Sequence, residues 1–235
     1  MNGTLDLGGN DQTVSSLAGD GAATNSGASG TATLTNQGAS SEFDGVIEDG
    51  ATAATALTQN APVNTLTLTG ANTYTGATTI TAGTLALSGS GSIADSSGVS
   101  LATGAIFDIS QTTAGASIET LGNTAAGQTG TVYLGAQTLT LTGALTTFGG
   151  VIADAGGIDN VTGGGLTLGP TATGTETLTG VNTYSGATTI DAGTLALSGT
   201  GSIALSSGVA DNGTFDISGL TNGGTTITTL SGSGG

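Results

Sequence analysis

The sequence predicts an all-β fold, an elongated parallel β-solenoid of about eleven coils. Three observations predict it: a long internal repeat, short strands with two-residue alternation, and a scarcity of bulky apolar residues. The repeat comes first. Residues 68–100 align with 178–210 without gaps and are identical at 27 of 33 positions. The run Phe107–Ser110 (FDIS) returns as Phe215–Ser218, and 43–47 (FDGVI) returns as 148–152 (FGGVI). The opening stretch 3–21 follows the apolar pattern of 213–235, with Leu5, Leu7, Val14 and Leu17 in the places of Phe215, Ile217, Ile227 and Leu230. Self-similarity at such offsets is the signature of stacked repeat units, here about five coils of roughly 20–22 residues per long repeat. The chain reads as one β-helical segment over 1–235. It has a repeat block at about 62–110, a second at about 172–218 and a partial one at 1–50, as a slice through a longer periodic protein would.

The strands follow in order. The runs 65–69 (TLTLT), 78–80 (TTI), 83–89 (GTLALSG), 106–110 (IFDIS) and 138–143 (TLTLTG) alternate with period two. Gly, Asn, Ser and Asp separate them, the residues that tight bends require. No window carries helical periodicity. Alternation places Leu85 and Leu87 inside, with Thr84, Ala86 and Ser88 outside. It places Phe107 and Ile109 inside and turns Asp108 to solvent.

Composition narrows the architecture. Of 235 residues, 45 are Gly and 48 are Thr, against 7 aromatics and 2 Pro. A two-sheet sandwich fills a core about 10 Å thick, usually around large aromatics. This chain offers mainly Leu, Ile, Val and Ala, which suit the thin core of a solenoid. About eleven coils at ~4.8 Å each make a rod roughly 50 Å long, whose end coils expose strand edges and are expected to fray or to stack on another copy.

Charge excludes several functions. There are 16 acids and no Lys, Arg or His, for a net charge of −16. Without cations the chain cannot neutralise phosphates, so nucleic acid is not an expected partner. A Ser-His-Asp triad is impossible. No Cys is present, so no disulfide or thiolate metal site exists. The start lacks the basic and apolar regions of a signal peptide, Met1 reads as an added start, and no apolar run is long enough for a membrane helix.

Three chemistries deserve a test on the residues. Paired carboxylates could perform acid/base work on glycans, with Glu42, Asp44, Glu48 and Asp49 near one turn and Asp154 and Asp159 near its counterpart. The bland reading, solvated loop acids, is preferred. The stretch 8–12 (GGNDQ) is faintly like a calcium turn, but it lacks the nonapeptide period and reads as an Asx-type turn. Outward Thr could form an ice-binding lattice, yet strands such as FDIS and LALS interrupt the rank. No catalytic, cofactor-binding or metal-ligating residue is assigned.

The most specific signal is the duplicated block itself. Gly70 and Gly76 bracket a corner. Asn72 suits left-handed geometry or a side-chain cap on the bend, Tyr74 shields the corner, and Ile80, Gly83 and Leu85 belong to the strands beyond. Gly180, Asn182, Tyr184, Gly186, Ile190, Gly193 and Leu195 repeat these positions. With Thr73, Thr78, Thr79, Ala82 and Thr84, the block resembles the autotransporter-associated β-strand repeat, also called the passenger-associated transport repeat. That resemblance implies a right-handed parallel β-helix in the passenger of a Gram-negative autotransporter or large surface adhesin, exported unfolded and folded outside the cell. It implies a structural, non-enzymatic role supporting secretion and folding, with neighbouring coils of the parent chain as partners. The family's Lys lead-in is replaced here by Leu168 and Pro170, and no translocator barrel is expected within these residues. Two other readings remain: a β-helix module that binds or cleaves glycans, and a fibre unit that assembles end to end.

Overall fold

The computed structural model describes residues 2–234, so Met1 lies outside it. It is an all-β solenoid of about ten turns. Every strand pairing is parallel, in sheets of three, ten, six and four strands. No helix long and apolar enough to cross a membrane occurs among the described residues.

The alternation read from the sequence becomes stacked ladders. One runs through Gln12, Leu34, Leu57, Thr78, Val99 and Leu121. A second runs through Leu66, Leu85, Phe107, Val132 and Ile152. A third runs through Leu139, Leu166, Thr188, Val209 and Leu230. Apart from Gln12, Thr78 and Thr188, these positions are apolar, and the rungs share one buried core from Leu7 to Val209. Packing of this kind removes apolar surface from water at every rung, which is the main favourable term in folding.

The coils, about ten against about eleven expected, are not of one length, because some carry excursions. The regular rungs are about 21–23 residues apart, as between Leu34 and Leu57 or Val99 and Leu121. The link from Ile152 to Asn182 spans 30 residues. The extra chain is the segment 155–163, which leaves the rod and folds back onto its outer face.

That excursion corrects one expectation. Asp108 does not face solvent; it is 2% exposed. It points outward, but Ile158 lies over it and donates its amide to Asp108 Oδ2 at 2.7 Å. Ser110 Oγ receives the Asp159 amide at 3.0 Å. The partner lies 50 residues ahead, beyond any local pattern. Ala86 also points outward yet is buried, being a short side chain between Thr67 and Asp108 on the same ladder. Leu85, Leu87, Phe107 and Ile109 are buried as predicted, and Thr84 and Ser88 are half-buried.

In the first block, Thr78–Gly89 is one continuous strand. In the second, the same sequence forms Thr188–Ile190 and Thr194–Gly199, interrupted at the bend.

Candidate functional site: the paired repeat corners

The corner at 70–76 is held by three polar side chains, which together tie it to the coils below and above. Asn72 comes first. Its Oδ1 accepts the Ile47 amide from the coil below at 2.9 Å. Its Nδ2 donates to Gly70 O at 2.9 Å and to Ser92 O of the coil above at 3.0 Å. One buried amide therefore joins three successive coils. Asn72 has no positive φ, so of its two expected roles it takes the side-chain cap.

Tyr74 does more than shield the corner. Its ring is fully buried, and its hydroxyl lies 2.6 Å from Thr78 Oγ1. Thr78 Oγ1 lies 2.9 Å from Ser96 Oγ, which in turn sits 3.0 and 3.2 Å from the carbonyl oxygens of Gly76 and Gly98. Thr78 stands inside the core between Leu57 and Val99, so this chain of hydroxyls lets a polar group occupy an apolar ladder without being orphaned. Burial pushes the Tyr74 hydroxyl well above its usual titration range, against the opposing bonds from Thr78 and Ser96.

Asp49, one coil below, completes the corner. Its Oδ2 accepts the Thr75 hydroxyl at 2.6 Å, and its Oδ1 accepts the Thr75 amide at 3.1 Å and the Thr55 amide at 2.7 Å.

The second corner repeats the Asn72 and Tyr74 bonds and the clamp on Thr75. The Ile152 amide donates to Asn182 Oδ1 at 2.9 Å, and Asn182 Nδ2 reaches Gly180 O and Ser202 O, each at 3.1 Å. Tyr184, Thr188 and Ser206 form the same relay at 2.7 and 3.0 Å. Asp154 replaces Asp49, accepting the Ser185 hydroxyl at 2.5 Å and its amide at 2.8 Å. Asp154 also accepts the Gly163 amide at 2.9 Å and thereby closes the base of the 155–163 excursion. Burial raises the Asp154 carboxyl, but the bonds from Ser185, Gly163 and Ala155 outweigh it and hold it below the ordinary range.

The glycines are required where the coils touch. A Cβ on Gly70 would meet Gly45 O at 1.9 Å, and one on Gly180 would meet Gly150 O at 1.9 Å. Gly83 and Gly193 take left-handed φ of 74° and 72°. Gly76 and Gly186 donate their amides to Thr55 O and Gly164 O of the coil below. Ile80, Leu85, Ile190 and Leu195 are buried in the ladders.

Of the carboxylates expected as possible acid/base pairs, Asp44, Asp49, Asp154 and Asp159 are engaged in hydrogen bonds. Asp49 and Asp154 clamp corners. Asp44 accepts the Thr69 hydroxyl at 2.5 Å, and Asp159 accepts from Gln111 at 3.5 Å. Glu42 is exposed and Glu48 half-buried. In the 8–12 turn, Asp11 accepts the Thr33 amide at 2.8 Å. Among the described residues no group of three or more acids is placed to hold a metal ion. The outward hydroxyls form single files, such as Thr13, Thr35, Thr58 and Thr79, not a two-dimensional lattice.

Ser96, Ser206, Asp49 and Asp154 were not legible as parts of the corner. Their signal was recurrence at the repeat offset, but their partners lie on other coils.

The fold and the paired corners define a repeat-built parallel β-solenoid in which the duplicated unit joins successive coils. The family model described as passenger-associated-transport-repeat matches residues 64–87 and 173–197, so the two corner blocks are similar to that repeat. No curated protein matches the chain, and no solved structure does.

Proposed function

We propose that the chain is a structural stretch of a secreted or surface-exposed passenger of a Gram-negative bacterium, and that its two corners promote coil-by-coil folding after export. The observation that supports this most is the duplication of the whole bracket, not merely of the sequence. Each corner closes only when the coil below and the coil above are both in place. Such a device favours ordered growth from an existing coil over collapse at random. The acidic, cation-free surface keeps unfolded chains apart and suits passage as an extended strand. An adhesive role belongs to the parent protein in this reading, with this segment as its stalk.

The test is export of a passenger carrying this segment, with Asn72→Ala and Asn182→Ala introduced together. The reading expects less folded, protease-resistant passenger at the cell surface and slower refolding of the isolated segment. Unchanged surface yield and refolding rate would overturn it.

A second reading, self-association, is favoured by the coil at Thr214–Leu220. No strand stacks on its far side among the described residues. Its Phe215 is half-buried, and Ile217 and the nearby Leu230 are exposed. Another copy or a further coil would cover them. Light scattering across a concentration series tests it: a constant monomer mass overturns self-association.

A further inference from the structure

Glu176 occupies a core position. It stands in the strand Thr175–Leu178 directly beneath Leu195, in the register that Leu66 holds beneath Leu85 in the first block. Its side chain is 0% exposed. Its Oε2 lies 2.9 Å from Thr146 Oγ1, and its Oε1 has no partner. Thr146 Oγ1 also lies 2.6 Å from Leu121 O, a carbonyl that can only accept. The single Thr146 hydroxyl proton is shared between Leu121 O and Glu176 Oε2, and Oε1 receives none, so an ionised carboxylate here is left short of donors.

No counter-charge is available. The strand above presents Thr194, Leu195, Ala196 and Leu197, and the strand below presents Thr147 and Phe148, none of them titratable at these pH values. The chain holds no Lys, Arg or His anywhere. The other buried titratable groups have their own partners: Tyr74 and Tyr184 in their relays, and Asp108, Asp154 and Asp211 on backbone amides. A lone carboxylate in such a place is disfavoured strongly.

We propose that Glu176 is a proton-linked breakpoint of the solenoid: the coil around it closes with the carboxyl protonated and loosens when the proton leaves. Burial raises the carboxyl well above its ordinary value, against the opposing bonds from Thr146. The sign follows. The stabilising proton is bound in both folded and unfolded chains below about pH 4.5, the ordinary value. As pH rises from there toward the folded value, stability falls. It falls by about tenfold in the folding constant per pH unit.

The experiment compares the whole segment with Glu176→Gln and Glu176→Leu by urea unfolding from pH 4 to 8, alongside carbon-13 titration of the Glu176 carboxyl. The difference between wild type and each variant is the readout, which cancels the charge repulsion common to all three. The proposal expects Glu176→Leu to gain on wild type steadily above pH 4.5, and the carboxyl to titrate above that pH. A variant difference independent of pH, or a carboxyl that titrates at its ordinary value in the folded protein, overturns it. If Glu176→Gln fails to fold, the Leu variant and the titration still decide.

Discussion

The Ile47 amide donates to Asn72 Oδ1 across 25 residues, and the Ile152 amide donates to Asn182 Oδ1 across 30, both at 2.9 Å. The second link carries the 155–163 excursion and the first does not. The corner thus keeps its bonds while the chain between its partners changes length. What the repeat specifies is a junction between coils, and loops can grow around it.

Removing that junction should be costly. Asn72→Ala leaves the buried Ile47 amide unpaired, at an expected cost of about 1–3 kcal/mol. Asn182→Ala should cost a similar amount. Urea midpoints of the two single variants and the double check this, and the two corners, about five coils or roughly 24 Å apart, share no bond partner, which predicts near-additive losses.

Tyr74→Phe keeps the ring and removes the hydroxyl. Thr78 retains Ser96, so the loss should be smaller, about 0.5–1.5 kcal/mol. Thermal melts of this variant and of Tyr184→Phe should show matching decreases.

Gly70→Ala tests the close approach. The added methyl must displace the Gly45 carbonyl, a backbone atom held by stacking, and overpacking of this kind costs about 1–3 kcal/mol or more. Ala at an open glycine such as Gly3 should be nearly silent. Circular dichroism and proteolysis report whether the coil still closes.

Asp154 gives the acid limb of stability. Its carboxyl is held below the ordinary value of 3.8 by the bonds that outweigh its burial. Its contribution is therefore complete above pH 3.8 and fades as pH falls through the folded value. Asp154→Asn should be less stable than wild type at pH 7, with the gap closing below pH 3.8. Unfolding at pH 7, 5 and 3 measures it.

Solubility should dip near the sequence pI of about 4.1, where mutual repulsion vanishes. A turbidity scan from pH 3 to 7 checks this.

Much of the fold was legible in the sequence, because side-chain alternation is a local property. Leu85, Leu87, Phe107 and Ile109 could be placed inside from their own neighbours. Asn72 and Tyr74 could be assigned to a corner for the same reason. Their partners could not, since a parallel pairing depends on the length of the intervening coil. Asp108 was misplaced because its cover arrives 50 residues later. Glu176 was legible in principle: it aligns with Leu66 at the repeat offset, a polar letter in an apolar column.

The clamps at Asp49 and Asp154 have a wider meaning. Both carboxylates are balanced by amide and hydroxyl dipoles, and with no cationic side chain in the sequence no ion pair between side chains can form for dissolved salt to weaken. Salt can act electrostatically only on the repulsion among the remaining acids. Rising ionic strength should therefore relieve that repulsion and favour the folded rod, so that the segment holds its shape in brine at least as well as in fresh water.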